Sequence, residues 1–153
     1  MKFRQCIMLA IGLAFASSAG AQVAVDEAWV RATAPGQPVA GAYLKIKSSQ
    51  AAALVAVHTP VTARAEIHEI KMEGGVMKMR AVARIELPAG KTVELKPGGY
   101  HLMLMNITTP LRPRETVPIT LVIEGPDKKR TEVEISAEVR DLTGGMSGHR
   151  KMH

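Results

Sequence analysis

AEIHEIKMEGGVMKMRAV, residues 65–82, holds two apolar-rich runs, Ala65–Met72 and Val76–Val82, on either side of Glu73-Gly74-Gly75. Neither run carries the helical apolar period of about 3.6 residues. Glycine adopts positive φ without steric cost, so a glycine pair between two short apolar runs marks the tip of a β-hairpin. The same pattern continues along the chain. Further runs are Glu27–Arg31, Ala40–Lys47, Leu54–His58, Thr92–Lys96, Tyr100–Ile107, Val117–Glu124 and Thr131–Val139. Between them stand Ala34-Pro35-Gly36, Leu87-Pro88-Ala89-Gly90, Lys96-Pro97-Gly98-Gly99 and Gly125-Pro126-Asp127. In Thr131-Glu132-Val133-Glu134-Ile135 the apolar residues alternate with glutamates, as a half-buried strand requires. Many short strands with turn signals between them predict an all-β sandwich or barrel. At 153 residues, with no internal repeat and no linker, the chain is read as one domain with one core.

Its two ends stand apart from that domain. Residues 1–21 begin with Lys2 and Arg4, pass through an apolar run from Ile7 to Ala16, and close on Ser17-Ser18-Ala19-Gly20-Ala21. That order is a secretory signal peptide with small residues at the cleavage site, and its apolar run is too short to span a bilayer. The expected domain is residues 22–140, with no stable membrane insertion after cleavage. Residues 141–153 form a His/Met-containing tail whose last ten residues include three glycines and nothing to bury.

The single cysteine, Cys6, falls in the leader. Beyond Gln22 every thiol chemistry is therefore excluded, including disulfide exchange, cysteine nucleophiles and the Cys-ligated blue-copper site. Loss of Lys2 and Arg4 lowers the net charge from +6 to +4. Aromatic residues are few, and basic residues alternate with acidic ones. That distribution does not suit nucleic-acid binding, while the modest positive charge favours docking on acidic partners.

What remains is an inventory of nine methionines and five histidines. Five methionines fall between Met72 and Met105, the stretch that also holds His68 and His101. With Glu73-Gly74 at the hairpin tip, His68 lies opposite Met79, on one face and about 5 Å apart at Cβ. His101 and Met103 are two apart on a later strand and also share a face. Strand geometry thus couples each imidazole to a thioether, and leaves open whether the two couples meet across the end of the sandwich. Thioether sulfur is soft and neutral, so a set of two histidines and two methionines favours Cu(I) over Zn(II), Ca(II) or Mg(II). Binding is expected to weaken below about pH 6, where imidazoles protonate. His58 is read as an exposed histidine, Met72, Met77 and Met105 as an apolar collar, and Trp29 and Tyr43 as core residues.

The spacing His68, ten residues, Met79, twenty-one residues, His101-Leu102-Met103 resembles the periplasmic copper chaperone PCu(A)C family. So do Trp29-Val30-Arg31, Glu66-Ile67-His68-Glu69, Gly75-Val76-Met77-Lys78-Met79-Arg80 and the run from Leu95 to Met105. The resemblance covers about Trp29 to Val139. It implies a cupredoxin-like Greek-key β-sandwich in the periplasm that brings the two couples together as a Cu(I) site of His68, Met79, His101 and Met103; separately, the chain is expected to be a monomer. It also implies delivery of copper to an acceptor, the CuA centre in cytochrome c oxidase subunit II or another copper chaperone. Met146, His149, Met152 and His153 in the tail resemble an extension of some family members that takes a second copper as Cu(II). The expected protein is a carrier and not an enzyme. A copper-brace oxygenase would need histidine where Gln22 stands. The alternatives are copper buffering or import without a dedicated acceptor, and a binding module in which the methionines only pack and no stoichiometric copper is held.

Overall fold

The computed structural model describes residues 22–141, and its regular elements are all strands. In chain order they are β1 (Val23–Arg31), β2 (Ala40–Ser48), β3 (Ala52–His58), β4 (Arg64–Glu73), β5 (Val76–Ala81), β6 (Ile85–Leu87), β7 (Thr92–Leu95), β8 (Tyr100–Met105), β9 (Thr116–Glu124) and β10 (Arg130–Arg140). Nine fall on the runs expected from sequence. β6 does not, because three residues are too few to display an alternation. The expected leader and the tail positions Met146, His149, Met152 and His153 lie outside the described residues.

All ten strands hydrogen-bond into one sheet, in the order β5-β4-β8-β2-β1-β10-β9-β3-β6, with β7 pairing the second half of β2. The sheet curls until its two halves share one apolar layer. Leu44, Ile46, Leu102 and Leu104 from one half and Leu54, Ile119, Leu121 and Ile123 from the other are buried in a single cluster. Neighbours distant in sequence, such as β8 beside β2 and β1 parallel to β10, give the sandwich its Greek-key character. Burial of this layer is the main force holding the fold together.

Strand parity sorts the side chains. On β2 the even residues Ala40, Ala42, Leu44 and Ile46 enter the core, so Gly41, Tyr43, Lys45 and Lys47 face outward. On β8, Leu102 and Leu104 point inward, so His101 and Met103 share the outer face. β1 changes parity partway. Its register against β2 shifts between Asp26 and Trp29, where Glu27 sits at φ 51°. This one-residue bulge sends Val30 into the core and turns Trp29 outward, opposite Tyr43. Trp29 therefore belongs to the outer face and is only half-buried, not in the core expected for it, while Tyr43 on the same face is buried as expected.

The β4–β5 hairpin closes on Gly74-Gly75, with φ of 60° and 79°. Two successive positive-φ residues make the two-residue turn whose twist suits a hairpin, one position beyond the tip expected from sequence. Pairing consequently slides by two: Met79 faces Ile70, and His68 faces Ala81 rather than Met79. A two-residue slide preserves parity, so His68 and Met79 remain on one face as diagonal neighbours.

Leu102 lies between His101 and Met103 and is fully buried. Leu102→Ala is expected to lower stability by about 2–5 kcal/mol, read as a lower urea midpoint at unchanged slope.

Candidate metal site

The outer face of β5-β4-β8-β2 gathers the four residues singled out from sequence. His68 stands directly opposite His101 on the β4–β8 ladder, and their ring centroids are 5.7 Å apart. Met103 lies between Glu66 on β4 and Gly41 on β2. The two His–Met couples thus meet side by side within one sheet, on adjoining strands, rather than across the end of the sandwich. An open cavity of about 210 Å³ is lined by Met79, His101 and Met103, together with Tyr43, Ile70 and Gly98. His68 adjoins it through His101.

Hydrogen bonds determine which ring nitrogens remain available. The Gly99 carbonyl can only accept, so His101 carries its proton on Nδ1 and donates it there at 3.1 Å. The Ile70 backbone N–H donates to the same oxygen at 3.2 Å, tying the turn before β8 to β4. Nε2 of His101 is left as the lone-pair nitrogen. For His68 the assignment reverses. Its Nε2 lies 2.9 Å from the Glu66 carboxylate, which accepts, so Nε2 holds the proton. Its Nδ1 is buried and has no hydrogen-bond partner. A buried lone pair without a donor is costly, and a metal ion is one group that satisfies it.

Charge at the site is set by the same contacts. The hydrogen bond from His68, then that from Arg64, holds the Glu66 carboxyl below the usual carboxylate range. Burial pushes the His101 imidazole below its ordinary value and the nearby His68 adds to this, against the Gly99 hydrogen bond. Both effects favour the neutral imidazole, the form that ligates a metal.

An aromatic wall borders the cavity. Tyr43 leans over Gly41 so closely that a Cβ there would lie 2.5 Å from its hydroxyl oxygen. Tyr43 also stacks on Trp29 at 4.5 Å and lies 6.3 Å from His101. Among the described residues, no group of three or more His, Cys, Asp or Glu is placed to hold a metal ion. At the cavity the donors are the two imidazoles with the thioethers of Met79 and Met103, a set that suits a soft ion. Sequence reasoning passed over Glu66, although a residue two before His68 on a strand must share its face. It also passed over Gly41, whose role appears only through the ring folded across it. His58 is exposed, as expected.

Residues 23–139 match the family described as "Putative lipoprotein LpqE-like". The chain is 30% identical over 129 residues to "Putative lipoprotein Lxx21020" of Leifsonia xyli subsp. xyli (strain CTCB07), covering 84% of this chain and 75% of that one. Its fold is similar to the apo PCuAC domain from PmoF1, with a TM-score of 0.65 and 27% identity over 80% of this chain and 96% of that one. It is also similar to the solution structure of CuI-DR1885 from Deinococcus radiodurans, with a TM-score of 0.56 and 32% identity over 82% and 83%.

Long-range ¹H–¹⁵N spectra near neutral pH are expected to show the proton on Nε2 of His68 and on Nδ1 of His101. Glu66→Ala should remove the first preference and leave the second; an unchanged His68 pattern would contradict the assignment. His101 should titrate below about 6.5, the ordinary imidazole value. The unfolded chain then binds more protons just below that value, so this stability is full above it and is lost as pH falls toward the folded-state midpoint. Urea midpoints at about pH 7.5 and about pH 5.5 should differ less in His101→Gln than in the unsubstituted protein.

Proposed function

The chain belongs to the LpqE-like family, and from that premise we propose that it is an exported copper carrier holding Cu(I) between His68, Met79, His101 and Met103. The observation that carries this reading is the pair of facing imidazoles flanked by thioethers, each ring with one nitrogen engaged and the other left as a lone pair. His68 would ligate through Nδ1 and His101 through Nε2. The similar protein from Deinococcus radiodurans was solved in its CuI form, which supports the choice of metal. The lipoprotein names of relatives support export. With the leader-like residues 1–21, the compartment proposed is the periplasm.

All four ligands are neutral and the cargo keeps its oxidation state. Transfer is then a sequence of ligand exchanges, in which each donor bond to Cu(I) is replaced by an acceptor bond. Thioethers suit this role because no proton is taken up when they leave. Glu66 and Gly99 orient the two rings, and Tyr43 lines the cavity beside His101. No covalent step on a substrate is involved. The acceptor proposed is the CuA centre of cytochrome c oxidase subunit II or another copper chaperone. Met146, His149, Met152 and His153 are proposed to take a second copper as Cu(II).

In anaerobic chelator competition, His101→Ala and Met103→Ala are each expected to weaken Cu(I) binding tenfold or more while the strand circular-dichroism spectrum persists. Unchanged affinity in both variants would overturn the assignment. Deletion of the gene at low copper is expected to reduce cytochrome oxidase activity, whereas an unimpaired oxidase would favour buffering or import.

A further inference from the structure

The β4–β5 hairpin is a ribbon with two chemically different faces. One carries Glu69, Lys71, Glu73, Lys78 and Arg80, joined by ion pairs at 3.2 to 3.8 Å. The other carries Ile70, Met72, Met77 and Met79, continuing the face that bears His68. Among the described residues β5 pairs with β4 alone, and all six of its residues are exposed. Met72, Met77 and Met79 are 64, 54 and 52% exposed.

That exposure is selective. Among the described residues the exposed large apolar side chains are these three methionines and two valines, with no leucine or isoleucine. An apolar contact surface needs no sulfur, whereas a soft cation does. Met72 stands directly opposite Met77, about 5 Å away at Cβ. Met79 follows Met77 by two residues, about 7 Å along the same strand face. Met79 also lines the cavity beside His101 and Met103. The three thioethers therefore form a track from the hairpin tip to the site.

We propose that Met72 and Met77 form a second, weaker Cu(I) site that collects the ion at the hairpin tip and loads the His68–His101 site through Met79. The proposal rests on the reading of the protein as a Cu(I) carrier. Met72 and Met77 hold the ion first. Met79 then replaces one of them, and His101 and Met103 complete the exchange. Each step forms one bond to Cu(I) as another breaks, with no electron or proton transferred. Two neutral sulfurs without an imidazole bind more weakly than the mixed set, which gives the track its direction.

The test is an anaerobic Cu(I) titration of protein labelled with ¹³C at the methionine methyls. The first equivalent is expected to move Met79 and Met103, and further Cu(I) to move Met72 and Met77. Met72→Leu/Met77→Leu keeps apolar bulk at two exposed positions. It should lose the second event, keep the first, and load several-fold more slowly in stopped flow. Methyls of Met72 and Met77 that stay unmoved through a few equivalents would overturn the proposal, and so would an unchanged loading rate in the double variant. A response at Met72 and Met77 with none at Met103 would remove the His68–His101 site and leave the hairpin site standing.

Discussion

The register between β4 and β8 is the constraint on which the rest of the site depends. It sets His68 against His101 and Glu66 against Met103, so one ladder aligns two imidazoles, a carboxylate and a thioether on a single face. A one-residue slip of either strand would send its two residues to the opposite face and expose Ile67 or Leu102 in their place. The buried layer resists that slip, because both Ile67 and Leu102 lie within it. The apolar core therefore holds the site's geometry as well as the fold.

Around that ladder, rigidity and exposure are divided between two structures. His101 sits almost fully buried in the middle of the sheet, its ring fixed by a carbonyl that β4 also holds. Met79 comes from a hairpin outside the sandwich and is half exposed. A carrier has to bind its ion and also release it, and a set with one firmly held ligand and one accessible ligand meets both demands. On the hairpin's other face the ion pairs of Glu73 with Lys78 and Arg80 are largely exposed and add little to stability.

Much of this was legible in the sequence because strand parity depends only on counting by twos. The all-β class, nine of the ten strands and the face shared by each His–Met couple follow from it. The hairpin register did not follow, since Glu73-Gly74 and Gly74-Gly75 are both plausible tips and only the backbone selects the second. Trp29 was misplaced for a related reason. A bulge at Glu27 reverses the parity of β1, and no residue pattern announces it. That the couples adjoin depends on β4 pairing β8, a contact across some thirty residues that local spacing does not specify. The ring nitrogens left available by Glu66 and Gly99 became visible only with that pairing in place.

On this face two imidazoles and two thioethers are proposed to hold one Cu(I) ion. X-ray absorption at the copper edge of the Cu(I)-loaded protein tests this assignment most directly. A mixed shell of nitrogen and sulfur is expected, with the sulfur contribution falling in Met79→Leu and again in Met79→Leu/Met103→Leu. A shell of nitrogen and oxygen alone, or a sulfur contribution unchanged by both substitutions, would contradict it.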